Sequence, residues 1–342
     1  MTKLRWGILG TGHIAGIFSR GVAASRTGQL VAVGSRTQES ADRFAREFGL
    51  ARAHGSYEAL LGDPEVSAVY VATPHPLHLE WTVRAAKAGK HVLCEKPLAV
   101  NRGGAVTMIE MARACGVMLM EAYMYRCHPQ TAKVVELVKS GALGRIGLIQ
   151  ATFSFCNDFN PDARLWNKTL GGGGILDVGG YPVSLARLVA GAADGKAFAD
   201  PVSVVGAGCL DPRTAVDVYA AALLRFANDV VAQVTCGIGL LQDNSVRIYG
   251  SKGWLHVPEP WVTTREGGTA TIYLHRPGAA VPEEIRITAP PLYALEADAF
   301  AAALAADLRE VPQMTAADTL GNMAVLDQWR AAIGLSYDAD KT

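Results

Sequence analysis

The sequence predicts a doubly wound, parallel α/β domain followed by an α+β domain with a large open, mostly antiparallel sheet. Three observations carry this. From Leu4 to about Tyr123 short apolar strands alternate with helices, the pattern of a parallel sheet covered on both faces. After about Pro129 the strands lengthen, and short turns join several of them. The chain has 342 residues, more than one hydrophobic core usually serves, so two domains are expected, at 1–123 and 124–342.

In the first half, Leu4–Gly10 is a continuous apolar run ending in glycine, Ile14–Ala24 has helical spacing and Leu30–Ser35 is again strand-like. Helices follow over Glu39–Phe48 and Tyr57–Leu61, then a buried strand over Ala68–Ala72 and a helix over His78–Ala88. A strand at His91–Cys94, a helix at Gly103–Cys115 and a strand at Met118–Glu121 complete the alternation. The second half opens with a helix over Gln130–Ser140. Strands are expected at Ile146–Phe155, Val202–Cys209, Tyr219–Phe226, Val230–Gly239, Ser245–Gly250, Gly253–Val257 and Thr271–His275. The turns Ala227-Asn228-Asp229 and Ser251-Lys252-Gly253 favour antiparallel pairing. Helices over Leu292–Ala306 and Ala316–Ala332 close the chain.

Half of the residues are hydrophobic, and 32 basic residues balance 32 acidic ones. Such a chain has no electrostatic footprint for nucleic acid or an anionic membrane. No stretch is long and apolar enough to span a bilayer, and no signal region precedes the first strand. The six cysteines, at 94, 115, 127, 156, 209 and 236, form no C-x-x-C pair and read as reduced thiols of a cytoplasmic protein.

The most specific motif is Gly10-Thr11-Gly12-His13-Ile14-Ala15, a G-x-G-x-x-A turn between the first strand and the first helix. Gly10 permits a tight turn, Gly12 lets the backbone approach a pyrophosphate, and Ala15 keeps helix and strand close. The helix N-terminus offers free N–H groups and a positive dipole end. This is the fingerprint of a dinucleotide-binding Rossmann domain. The second strand ends in Gly34-Ser35-Arg36-Thr37, without the acidic residue that would repel a 2′-phosphate. Ser35 and Arg36 form a phosphate clamp, which favours NADP, with NAD also admissible. Two loops at carboxyl ends of strands complete the expected cofactor site: Thr73, Pro74, His75 and His78 in one, Glu95, Lys96 and Pro97 in the other.

Lys96, half-desolvated beside a nicotinamide, would polarise a substrate oxygen or lower the pKa of a neighbouring acid. Glu95 would hold it by an ion pair, and a cis bond at Pro97 would fix its direction. Farther on, Gly171-Gly172-Gly173-Gly174 precedes Asp177 and Tyr181, four apart and on one face of a helix beginning near Ile175. A carboxylate and a phenol at that spacing suit a polyol: Asp177 accepts from hydroxyls, and Tyr181 exchanges the proton of the reacting oxygen. Arg126 either contacts substrate oxygens or bridges domains in an ion pair. Arg164 and Trp166 either meet a sugar ring or, for the tryptophan, pack in the core. His75 and His78 read as nicotinamide-site or capping residues, and no metal site is expected.

Taken together, these motifs make the chain resemble the glucose–fructose oxidoreductase/inositol dehydrogenase/MocA-type family over nearly its whole length. The likeness extends to Glu121–Arg126, to Tyr249-Gly250-Ser251-Lys252-Gly253, and to Glu296 and Phe300 in the closing helices. It implies hydride transfer between NADP and a carbinol or carbonyl carbon of a sugar or polyol. It places Lys96 on the family's Glu-Lys-Pro lysine and Asp177 on its substrate aspartate. Tyr181 stands where inositol dehydrogenases have histidine, which is similar to dimeric dihydrodiol dehydrogenase and NADP-dependent xylose dehydrogenases. That favours Tyr181 as the acid/base, its pKa lowered by Lys96, although the motifs leave open which of the two moves the proton. The resemblance also implies a homodimer or homotetramer formed through the open sheet. Two other readings are a non-catalytic NADP sensor and a cofactor-retaining sugar–sugar oxidoreductase; the latter is expected to carry an additional arm around the cofactor.

Overall fold

The computed structural model describes residues 3–341; Met1, Thr2 and Thr342, at the outer ends of the two expected domains, lie outside them. The first sheet contains β1 (Leu4–Leu9), β2 (Gly28–Gly34), β3 (Arg52–His54), β4 (Ala68–Val71), β5 (His91–Glu95) and β6 (Leu119–Ala122). They are all parallel, in the order β3-β2-β1-β4-β5-β6. Helices α1 (His13–Ala24), α2 (Gln38–Phe48), α3 (Tyr57–Leu61), α4 (His78–Lys87) and α5 (Arg102–Ala114) make the connections. The order reverses between β1 and β4, and loops leaving the carboxyl ends there open a ligand crevice.

After α6 (Pro129–Lys139), the second sheet contains β7 (Ile146–Ser154), then, beyond α7 (Gly180–Ala193), β8 (Pro201–Leu210), β9 (Asp217–Phe226), β10 (Val231–Gly237), β11 (Val246–Gly250), β12 (Gly253–Val257), β13 (Gly268–His275) and β14 (Glu283–Ala289). Its order is β14-β13-β12-β11-β7-β10-β9-β8. Only the β7–β10 pair is parallel; every other neighbouring pair is antiparallel.

Strands β3 and β14 are not apparent in the sequence. The first has three residues; the second alternates charged and apolar residues on a sheet edge, so neither shows a buried run. The closing helices α8 (Leu292–Ala305) and α9 (Ala316–Ala332) return to the first domain. On α8, Phe300 packs on Trp6 with ring centroids 5.2 Å apart. The Asp298 carboxylate on the same helix accepts from the Thr27 backbone N–H at 3.0 Å. One apolar core therefore runs through both sheets. Among the described residues no helix is long and apolar enough to cross a membrane.

Candidate active site

A cleft of about 690 Å³ lies between the two sheets. Gly12, His13 and Ile14 form part of its wall, as do Thr73, Pro74 and His75 after β4, and Glu95 and Lys96 after β5. From the second domain come Arg164, Asp177 and Tyr181. The glycine turn and the lysine–aspartate–tyrosine group, some 80 to 170 residues apart in sequence, face one space.

The wall at α1 fits a dinucleotide. Gly10 has a φ of +111°, a left-handed value that favours glycine, and Gly12 has no atom within 4 Å of where a Cβ would stand. The Gly12 end of α1 has no capping side chain and no acidic residue in its first turn, so its N–H groups stay available to an anion. On the same wall, the Thr73 hydroxyl is buried and has no hydrogen-bond partner among the described residues. Ser35, at the end of β2, has its Oγ 3.2 Å from Thr11 Oγ1, and the neighbouring Arg36 is exposed.

The reactive end is built from a distorted helix start. Gly173 has a φ of +108°, and a Cβ there would run into the Asp217 carboxylate, whose Oδ2 accepts from the Ile175 N–H at 2.7 Å. Residues Ile175–Gly179 form a wide π turn leading into α7. Pro182 has no N–H to return to that turn. The Asp177 carbonyl instead accepts from Lys96 Nζ at 2.7 Å, and Asp177 Oδ1 lies 3.6 Å from the same ammonium. Arg164 Nη2 donates to that carboxylate oxygen at 2.8 Å. Burial opposes ionisation of Asp177, but Lys96 and Arg164 outweigh it and hold the carboxyl well below the usual range.

His75 completes the cluster. Its Nδ1–H donates to the Gly171 carbonyl at 3.0 Å, and its Nε2 faces Arg164 Nη1 at 3.3 Å. Burial, then the Arg164 charge, pushes its pKa well down, so the ring is neutral. This agrees with an Nε2 lone pair that accepts from Arg164.

Tyr181 sits in an aromatic box, with the Tyr123 and Phe153 ring centroids each 5.0 Å from its own. Among the described residues its hydroxyl has Met124 Sδ, at 3.4 Å, as its one acceptor, a weak partner. Burial raises the phenol pKa well above 10, so it is a neutral proton donor. The expected lowering by Lys96 is not met. The ammonium stands over the ring face, 5.3 Å from its centroid, and not beside the hydroxyl.

Several expected positions have other partners. Arg126 is buried away from the cleft, where Nη2 pairs with Asp318 Oδ2 at 2.6 Å and Nη1 donates to Ser184 Oγ at 2.8 Å. Neither expected role is met: Asp318 and Ser184 both lie, like Arg126, within residues 124–342, so the pair is internal to that part of the chain and offsets the cost of burying the guanidinium. Trp166 packs with Val216 and Ile238 in a separate small core, and offers no face to the cleft. His78 is fully buried, its ring nitrogens 2.9 and 2.8 Å from the Pro97 and Thr73 carbonyls. Burial lowers its pKa to about 4, so the neutral ring donates to one carbonyl at a time; it ties together the loops that follow β4 and β5 instead of lining the cleft. Glu95 makes no ion pair with Lys96. It accepts from the Tyr70 hydroxyl and, at 3.2 Å, from the Lys96 backbone N–H. The Lys96–Pro97 peptide is cis.

Sequence reasoning passed over Asp217 and Tyr337. Tyr337, near the end of the chain, donates from its hydroxyl to the Gly172 carbonyl, so both residues pin the glycine loop. Their contacts span 42 and 165 residues, beyond any local spacing signal.

Comparison with known proteins agrees with this arrangement. Residues 4–123 match the family described as oxidoreductase family, NAD-binding Rossmann fold, and residues 131–256 match its GFO/IDH/MocA C-terminal domain. The chain belongs to the GFO/IDH/MocA oxidoreductase family. Within that family it is 32% identical to mouse trans-1,2-dihydrobenzene-1,2-diol dehydrogenase, with 99% of each chain covered. It is 33% identical to D-xylose 1-dehydrogenase (NADP(+)) 2 of Haloferax volcanii, with 95% of each covered. Among solved structures, a 3-ketoreductase from Actinomadura kijaniata in complex with NADP and TDP-benzene superposes with a TM-score of 0.87 at 31% identity, covering 97% of this chain and 98% of the other. As a GFO/IDH/MocA oxidoreductase, the protein has its NAD-binding fold where the glycine turn predicted it.

Proposed function

We propose that the protein is an NADP-dependent dehydrogenase or reductase acting on a carbinol or carbonyl carbon of a sugar, sugar derivative or polyol. The observation that carries this is the meeting of the α1 glycine turn with Lys96, Asp177 and Tyr181 in one cleft. The named relatives, which include an NADP-linked xylose dehydrogenase and a dihydrodiol dehydrogenase, support the same substrate class.

The nicotinamide supplies or takes the hydride when bound. Gly10, Thr11, Gly12, His13 and Ile14 would hold its pyrophosphate, Ser35 and Arg36 the 2′-phosphate, and Thr73, Pro74 and Glu95 the nicotinamide half. Asp177, kept ionised by Lys96 and Arg164, accepts from substrate hydroxyls and fixes the reacting carbon. Lys96 has spent donors on Asp177 and turns a remaining one to the reacting oxygen. Tyr181, neutral because it is buried, releases Met124 and gives its proton to that oxygen during reduction. In oxidation Tyr181 first gives its own proton to solvent; the phenolate then takes the proton of the reacting hydroxyl, and Lys96 offsets the charge.

We further propose a dimer through the open sheet. Val205 and Leu223 stand directly opposite each other on β8 and β9, and are 64% and 53% exposed. With Tyr219, 43% exposed, they form an apolar outer face. The six free thiols suit a reducing compartment, and we place the protein in the cytoplasm. An absorbance screen with NADP(H) against aldoses, inositols, anhydro- and keto-sugars and trans-diols tests the function. Turnover of at least one class is expected; inactivity toward all of them would overturn the reading.

A further inference from the structure

Among the described residues, three lysine and arginine side chains line the cleft: Lys96, Arg164 and Arg265. The first two are committed to Asp177. Arg265, in the connection between β12 and β13, is exposed and acts electrostatically on the Tyr293 phenol. Among the described residues it has no hydrogen bond or ion pair. Its position is nevertheless held. The preceding Thr264 has its Oγ1 2.9 Å from His128 Nε2, and its carbonyl accepts from Gly267 at 2.9 Å and Leu292 at 3.2 Å. Thr264 has a φ of +45°, a value that β-branched residues rarely adopt, and that turn presents Arg265 to the cleft.

Arg265 lines the same cleft as Gly12, His13 and Ile14 at the start of α1. That end of α1 has no capping side chain and no first-turn acid, and in the same cleft the buried Thr73 hydroxyl has no hydrogen-bond partner among the described residues. A phosphate group seated there would meet helix N–H groups on one side and a free guanidinium on the other.

We infer that Arg265 binds the pyrophosphate of the dinucleotide from the second domain. The inference rests on the dinucleotide reading of the cleft. Its ligand contact is common to NADP and NAD, unlike that of Arg36, and it lies apart from the substrate-binding Asp177.

The test is equilibrium titration of wild type, Arg265→Ala and Arg265→Lys with NADP, NAD and adenosine 2′-phosphate, followed by protein fluorescence. Loss of one charge-assisted contact should weaken NADP and NAD by the same factor, about tenfold or more. Binding of adenosine 2′-phosphate, which has no pyrophosphate, should not change, and Arg265→Lys should recover part of the loss. Unchanged dinucleotide affinity in Arg265→Ala would overturn the inference while leaving the cleft reading intact. So would an effect confined to the KM of the sugar substrate, which would assign Arg265 to the substrate. Failure of the wild-type protein to bind either dinucleotide would overturn the cleft reading and the inference together.

Discussion

The contact between Lys96 and Asp177 can be tested by a double-mutant cycle on stability. Lys96→Met removes the ammonium, Asp177→Asn removes the carboxylate charge while keeping its shape, and the double variant removes both. The charges are 3.6 Å apart, and both side chains are largely buried, at 14% and 7% exposure. At an effective dielectric constant of about 20, their direct attraction is about 4–5 kcal/mol. Two features reduce the coupling. Arg164, 2.8 Å from the same oxygen, continues to neutralise Asp177 when Lys96 is gone, and Lys96 keeps its bond to the Asp177 carbonyl when the charge is removed. A coupling energy of about 1–3 kcal/mol remains. Urea denaturation of the four proteins at pH 7 measures it. Single effects that add to within about 0.5 kcal/mol would show that the two groups act independently, and would refute an electrostatically assembled site.

Four further outcomes follow from the same geometry. Tyr181→Phe should lower kcat about 10²- to 10⁴-fold with little change in NADP affinity; wild-type reduction should show no loss from pH 7 to 9, because burial keeps the phenol protonated there. Arg36→Ala should raise the KM for NADP far more than for NAD, and equal effects would remove the 2′-phosphate clamp. Glu121, buried with one oxygen accepting from the Leu98 N–H, has its pKa raised to about 7, chiefly by burial. A raised folded-state value means stability is full below the ordinary carboxyl pKa and is lost as pH rises through 7. Wild type should therefore lose up to about 3 kcal/mol relative to Glu121→Gln between pH 4.5 and 7.5, measured by urea denaturation at each pH. Leu223→Glu should convert a dimer to monomer by light scattering, and an unchanged mass would place the interface elsewhere.

The parts of the site that were legible in the sequence are those fixed by short spacing. The G-x-G-x-x-A turn, the Glu-Lys-Pro loop and the Asp-x-x-x-Tyr pair each report a local backbone shape, and all three open on one cleft. Side-chain partnership across long separations was not legible. Arg126 could be read as a substrate ligand because Asp318, its partner, is 192 residues away. Trp166 carries no sign in sequence that Val216 and Ile238 will cover it. The same limit hid the link from His75 through Arg164 to Asp177, which joins both domains. Tyr181 gives the opposite lesson. Its placement followed from spacing, but its protonation follows from an aromatic enclosure drawn from several elements, which raises the phenol pKa where proximity to a lysine suggested a fall.

The most direct measurement is single-turnover hydride transfer in Lys96→Met, with NADPH consumption followed in a stopped-flow instrument using the best carbonyl substrate of the screen. If, as proposed, Lys96 meets the reacting oxygen while α1 holds the phosphates, NADPH should still bind with near wild-type affinity and the transfer step should slow by about 10²–10³-fold. Transfer within tenfold of wild type, or loss of NADPH binding with the chemical step unchanged, would contradict the account.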